Sequence, residues 1–144
     1  MALSVLSMEK KFGFQKAERL CSRNIIQSLF TEGQSFVKYP LRVSILKLPT
    51  EVPAPPAQVL ISVTKKRFKR ANKRNLLKRK IREAYRLNKH ILTDVLKKQE
   101  DNYAIAFIYL PSETMEFADI EKGMIKALRK IVETVITIKE QSHE

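Results

Sequence analysis

Apolar residues recur along the chain with two different periods, and the change from one period to the other marks out the elements. Leu20, Ile25, Ile26, Leu29 and Phe30 follow helical spacing between Glu18 and Phe30, which predicts a short helix ending at Gly33. The following segment, Phe36 to Leu48 (FVKYPLRVSILKL), alternates at Leu41, Val43 and Ile45 and predicts a strand. Pro49 to Ala57 holds four prolines in nine residues. Neither helix nor strand continues through that composition, so an exposed connection is expected, too short to divide domains. Val59 to Val63 is a second strand. In Tyr103 to Pro111, Tyr103, Ile105, Phe107 and Tyr109 share one face and Ala104, Ala106 and Ile108 the other, so a central strand is expected.

Two longer helical stripes complete the pattern. Leu77, Ile81, Ala84, Tyr85, Ile91, Leu92, Val95 and Leu96 fall within roughly two-fifths of a helix circumference, which predicts one long amphipathic helix. Phe117, Ile120, Met124, Leu128, Ile131, Val135 and Ile138 predict another, packed on the sheet. The order is α-β-β-α-β-α. The expected fold is one α+β domain over 1–144, with helices packed on a small mixed sheet and flexible ends at 1–15 and 140–144. A chain of 144 residues with 44% hydrophobic content can bury such a core.

Charge changes this picture in one place. Between Lys65 and Lys89 stand thirteen Lys or Arg against the single acid Glu83, a net of +12 out of +13 for the whole chain. The other 119 residues are nearly neutral. Arg74, Lys78, Arg82 and Arg86 repeat every four residues, with Asn75, Arg79 and Lys89 beside them, so the cations form one ridge flanking the apolar stripe. Like charges at that spacing repel by a few tenths of a kcal/mol per pair. Glu83 relieves them only locally, by pairing with Arg79 or Arg86. A localised ridge rich in Arg, whose planar fork grips phosphate, points to a nucleic acid as the missing source of anions.

Other residues limit the chemistry. Cys21 has no partner for an internal disulfide, and His90 and His143 are the only histidines, so no metal-ligand set is expected. Cys21 is expected to be buried as a small hydrophobe, Tyr85 to pack on the sheet and His90 to lie on a helix surface. The longest apolar run, Ala104 to Leu110, is far short of a bilayer span, and the opening MALSVLSMEKK does not read as a secretory signal. A reduced, cytoplasmic protein is expected, without membrane or small-molecule partners. No paired carboxylates, acid–base histidine or phosphate-cradling glycine loop accompanies the patch, so no catalytic residue is assigned.

Arg74 to Arg86 (RNLLKRKIREAYR) resembles the signature of the bacterial ribonuclease P protein subunit, in which Arg-Asn is followed by Lys-Arg and then Arg-Glu-x-x-Arg on a long helix. Leu60 to Lys66 (LISVTKK) is similar to the strand ending in paired lysines in that family, and Leu29 to Gly33 (LFTEG) to the end of its first helix. The likeness covers roughly Leu20 to Ile138. Two positions depart from it. Leu76 stands where a third basic residue is common, and the turn after the lysines, where many members have a glycine, reads RFKRANK here, one residue longer, with Phe68 nearby.

The resemblance implies a left-handed crossover between parallel strands through the basic helix, an arrangement that general topology rules disfavour. It implies tRNA 5′ maturation, in which a catalytic RNA subunit with bound Mg²⁺ removes the 5′ leader of precursor tRNA and the protein supplies binding. Lys65, Lys66, Arg67, Arg70, Arg74, Asn75, Lys78, Arg79, Arg82 and Arg86 would then face the catalytic RNA. Ile26, Phe30, Phe36 and Tyr39 would hold the single-stranded leader between the first helix and the sheet. A ribosomal RNA-binding protein shares the basic patch and the small α+β fold, and is the competing reading. A helix-turn-helix DNA binder lacks its companion helix here, and an enzyme with its own active site lacks the residues.

Overall fold

In the computed structural model, which describes residues 16–49 and 55–142, four strands and four α-helices form two layers on a shared sheet. A single 3-10 turn, Lys16–Glu18, precedes α1 (Arg23–Glu32), β1 (Gln34–Lys38), β2 (Leu41–Leu48), β3 (Ala57–Ser62), α2 (Ala71–Asn88), α3 (His90–Gln99), β4 (Asn102–Tyr109) and α4 (Phe117–Ser142). The strand order is β1-β2-β4-β3. β4 pairs antiparallel with β2 and parallel with β3, so α2 and α3 lie in the connection between two parallel neighbours of a mixed sheet. The expected ends 1–15 and 143–144 and the proline-rich positions 50–54 lie outside the described residues. Glu140 to Ser142, expected as part of a flexible end, continue α4.

The sheet divides side chains by parity. Leu41, Val43, Ile45, Val59, Tyr103, Ile105, Phe107 and Tyr109 face α2, α3 and α4, where they meet Leu77, Ile81, Tyr85, Leu92, Leu96, Ile120, Met124, Leu128 and Ile131 in the main core. The opposite face is thinner. Ala104 and Ala106 are small, and α1 lies over them with Leu29, Ile25 and Ile26, next to Leu46, Leu48 and Leu60.

Two elements differ from the sequence expectation. The segment Phe36 to Leu48 is a hairpin rather than one strand: it reverses at the cis peptide Tyr39-Pro40, and β1 pairs back on β2 with Phe36 opposite Val43. Pro40 has no N–H to give to a ladder, so a strand cannot run through it undisturbed. Gly123 of α4 admits this turn, since a Cβ there would lie 2.5 Å from the Pro40 ring and 2.7 Å from the Tyr39 carbonyl. The long basic helix is interrupted at Lys89, giving α2 and α3. At the break the Asn88 side-chain amide donates to the Ala84 carbonyl at 2.8 Å, and the Lys89 side chain turns inward.

Ion pairs tie the chain across long separations. Lys89 Nζ lies 2.7 Å from Glu18 Oε1, both side chains largely buried, and joins the 3-10 turn to the α2–α3 junction. Asp101, buried at the start of β4, receives Lys47 from β2 and Lys139 from α4, each at 3.6 Å.

Candidate nucleic-acid interface

The inner side of α2 is fixed by Leu77, Ile81, Ala84 and Tyr85, all fully buried, with the Tyr85 ring 5.8 Å from that of Phe107. That burial orients the rest of the helix. Arg74, Lys78, Arg82 and Arg86 are half-buried along one flank, and Asn75 and Arg79 are exposed beside them. The other flank carries the exposed Leu76 and Leu87, with Lys80 donating to the Met115 carbonyl at 3.0 Å. The ridge expected from the sequence is therefore present, except for Lys89, which is only 5% exposed and paired with Glu18.

Three ridge arginines differ in their surroundings. Arg86 forms a two-point pair with Glu83, at 2.5 and 3.0 Å, so Glu83 turns to Arg86 and not to Arg79. Hydrogen bonding to Arg86 holds the Glu83 carboxyl below its ordinary value, against a smaller opposing effect of burial. Arg74 Nη1 donates to the carbonyls of Phe68 and Lys69 at 2.8 and 2.9 Å. Arg82 Nε is buried without a hydrogen-bond partner, and the side chain lines a groove of about 190 Å³ with Arg19, Leu20, Cys21, Val59, Leu60 and Ile61.

Lys65, Lys66, Arg67 and Arg70 are exposed on the segment that leads from β3 into α2. Phe68 is its anchor: the ring is buried 6.0 Å from Tyr109, and its N–H donates to the Thr64 carbonyl at 3.2 Å. Phe68 thus acts as a hydrophobic pin for the segment. α2 begins with no side-chain cap at Arg70 and no acid in its first turn, so the positive end of its dipole opens into this cationic segment.

The four residues expected on the second surface do not converge. Ile26 is half-buried on α1, and Phe30 is 49% exposed there, so Phe30 is not a core residue. Phe36 shares the face of Val43 and packs against the main core, on the side of the sheet away from α1. Its alternation parity, visible once β1 is recognised as a separate strand, places it there. Tyr39 is exposed at the hairpin turn, next to Pro111 to Met115. Cys21, expected buried, is exposed just before the Ser22 cap of α1.

Sequence reading missed a row of residues on the α1 side of the sheet. Val37, Arg42, Ile108 and Ser62 lie in register across all four strands. α1 covers the neighbouring Leu46, Ala104 and Ala106, and leaves Val37 and Arg42 exposed. The row ends at Ser62, three residues before Lys65, so it runs toward the cationic segment. Among the described residues no group of three His, Cys, Asp or Glu could hold a metal ion, and no helix is long and apolar enough to cross a membrane.

The family described as Ribonuclease P matches residues 14–132. A ribonuclease P protein component of Porphyromonas gingivalis is 48% identical over 124 residues, covering 86% of this chain and 90% of that protein. One from Chlorobaculum tepidum is 33% identical over 111 residues, covering 73% and 72%. Among solved structures, the RNase P protein from Thermotoga maritima superposes with a TM-score of 0.62 at 25% identity, covering 78% of this chain and 96% of that one. The Staphylococcus aureus RNase P protein gives 0.62 at 25%, covering 81% and 95%.

Proposed function

The chain belongs to the ribonuclease P protein family, and from that premise we propose that it binds the catalytic RNA through α2 and the Lys65–Arg70 segment while guiding the 5′ leader of precursor tRNA over the open row of the sheet. Membership makes it a ribonuclease P protein component with a role in tRNA processing. The observation that carries the finer reading is the arrangement of cations. Lys78, Arg79 and Arg82 on α2 and Lys65, Lys66, Arg67 and Arg70 before it have no acid among them, and the α2 dipole adds positive potential where the two sets meet. Phosphates bound there release counterions, so affinity falls steeply with salt.

The leader surface is assigned to Ile26 and Phe30 of α1 and to the row Val37, Arg42, Ile108 and Ser62. Phe30 offers a ring face on which a base can stack with little sequence preference, worth roughly 1–3 kcal/mol per base. Arg42 supplies a cation for the leader backbone. Phe36 and Tyr39 are left out, since neither lies on this surface. Mg²⁺ is assigned to the RNA, because the proposed interface presents cations and, among the described residues, no group of three His, Cys, Asp or Glu could hold a metal ion; bound to the RNA it would supply the charge neutralisation and the activated water for cleavage. The protein's own part is to hold two RNA strands in place, and no proton transfer is assigned to its residues.

The test is binding and cleavage of 5′-labelled precursor tRNA by the cognate RNA subunit at limiting Mg²⁺. A Lys78→Ala/Arg79→Ala/Arg82→Ala variant is expected to lose most of the stimulation and to reduce the salt slope by about two to three contacts at 0.7–0.9 each. Phe30→Ala is expected to weaken binding of precursor tRNA relative to mature tRNA. Unchanged stimulation by the triple variant would refute the ridge assignment. Equal effects of Phe30→Ala on precursor and mature tRNA would refute the leader assignment.

A further inference from the structure

Between β3 and α2 the chain runs through Val63 to Arg70, of which Lys65, Lys66, Arg67, Lys69 and Arg70 are cationic, and the next acid is Glu83. Mutual repulsion favours splaying such a segment into solvent. Three contacts close it instead: the Phe68 N–H on the Thr64 carbonyl, the Phe68 ring against Tyr109, and Arg74 reaching back from the start of α2. Arg74 Nη1 bridges two successive carbonyls, Phe68 at 2.8 Å and Lys69 at 2.9 Å. A cation so near a helix N-terminus is opposed by the helix dipole, and the two carbonyls offset that opposition.

We infer that Arg74 is a positioning residue, whose guanidinium locks the Thr64–Arg70 turn and so presents Lys65, Lys66 and Arg67 to RNA as one fixed group. This role rests on the RNA-binding reading above. It separates Arg74 from Lys78 and Arg79, for which no acceptor among the described residues competes with phosphate. Lysine at this position keeps the charge but lacks the rigid planar donor set, so charge alone does not restore the lock.

The experiment measures binding of the cognate RNA subunit across a potassium chloride series. The proteins are the parent, Arg74→Ala, Arg74→Lys, Lys65→Ala/Lys66→Ala/Arg67→Ala, and that triple variant combined with Arg74→Ala, each compared by far-UV circular dichroism. One phosphate contact contributes about 0.7–0.9 to the slope of log K against log salt. The expected result is that Arg74→Ala removes about two contacts' worth of slope. Arg74→Lys does not restore it, and Arg74→Ala adds almost nothing in the triple background. In the free protein, amide exchange at Phe68 is expected to accelerate in Arg74→Ala while the amides of Leu77 to Tyr85 keep their protection. Should Arg74→Ala lose the parental dichroism, Arg74→Lys carries the same comparison. A loss of one contact's slope that lysine restores, additive with the triple variant and without change at Phe68, makes Arg74 a direct phosphate ligand and overturns the inference. Salt-independent binding by the parent itself defeats the RNA-binding reading and the inference with it.

Discussion

Lys89 is a cation that sequence places beside the ridge and the structure takes away from it, so replacing it separates two explanations. Its Nζ sits 2.7 Å from Glu18 Oε1, with side-chain exposures of 6% and 17%. Removing one partner of a well-buried pair costs roughly 3–5 kcal/mol, because the remaining charge is left in a poor solvent. Glu18 is the wetter partner, so Lys89→Met, which keeps the length and apolar stem, is expected to destabilise by about 2–3 kcal/mol. Glu18→Gln leaves the more buried ammonium without its counter-charge and is expected to cost about 3–4 kcal/mol. The double variant should recover about 2 kcal/mol of the summed loss, as a coupled pair does. For a chain of this size, 3 kcal/mol lowers Tm by roughly 6–12 °C. Urea unfolding followed by circular dichroism measures the cycle, and RNA binding over a salt series gives the second reading. The structure requires a large stability loss with an unchanged salt slope. A loss below about 0.5 kcal/mol with the slope reduced by one contact would refute the burial argument and return Lys89 to the ridge.

Two further outcomes follow from packing and burial. Alanine normally stabilises a helix interior relative to glycine by about 1 kcal/mol, yet Gly123→Ala should destabilise by about 1–3 kcal/mol, since its Cβ would meet Pro40 and Tyr39 at 2.5 and 2.7 Å; a higher urea midpoint would show that the hairpin yields. Burial, with a smaller contribution from Asp101 at Tyr103 and from Tyr39 and then Glu113 at Tyr109, pushes both phenols up to about 12. Burial raises Tyr85 further, with Glu18 adding to it. These values exceed the unfolded value near 10, so their contribution to stability is complete below pH 10 and is lost as pH rises through about 12. Phenolate absorbance and urea midpoints measured from pH 9 to 12.5 check this, and a midpoint independent of pH over that window would contradict it.

Periodic elements were legible because periodicity reports a face, and the faces here are strongly apolar. The α4 stripe buries Ile120, Met124, Leu128, Ile131 and Val135, and β4 is the central strand its two apolar faces announce. The ridge on α2 was legible for the same reason. What escaped sequence reading depends on partners distant in the chain. Lys89 was drawn inward by Glu18, 71 residues earlier, which no local pattern encodes. The resemblance places Phe36 in a cleft beside the first helix, whereas Pro40 breaks the alternating run and the parity of β1 turns Phe36 to the main core. Arg74 has the spacing of a ridge cation, and only the path of the turn shows that its donors meet carbonyls. The row Val37, Arg42, Ile108 and Ser62 exists only as a register across four strands.

The strand order also determines when this surface can exist during synthesis. β1 and β2 can pair as soon as both have emerged, but among the described strands β3 pairs with β4 alone, apart from the isolated bridge of Val59 to Arg19. Until Asn102 to Tyr109 arrive, β3 and the two helices after it lack the strand that joins them to the β1-β2 hairpin, although all of them are already made. A nascent chain therefore carries its most self-repelling stretch, Lys65 to Lys89, while β3 still waits for its partner strand. The charged middle of the molecule is thus among the last parts to gain its support, and any chain ending before β4 delivers the cations without the scaffold that aims them.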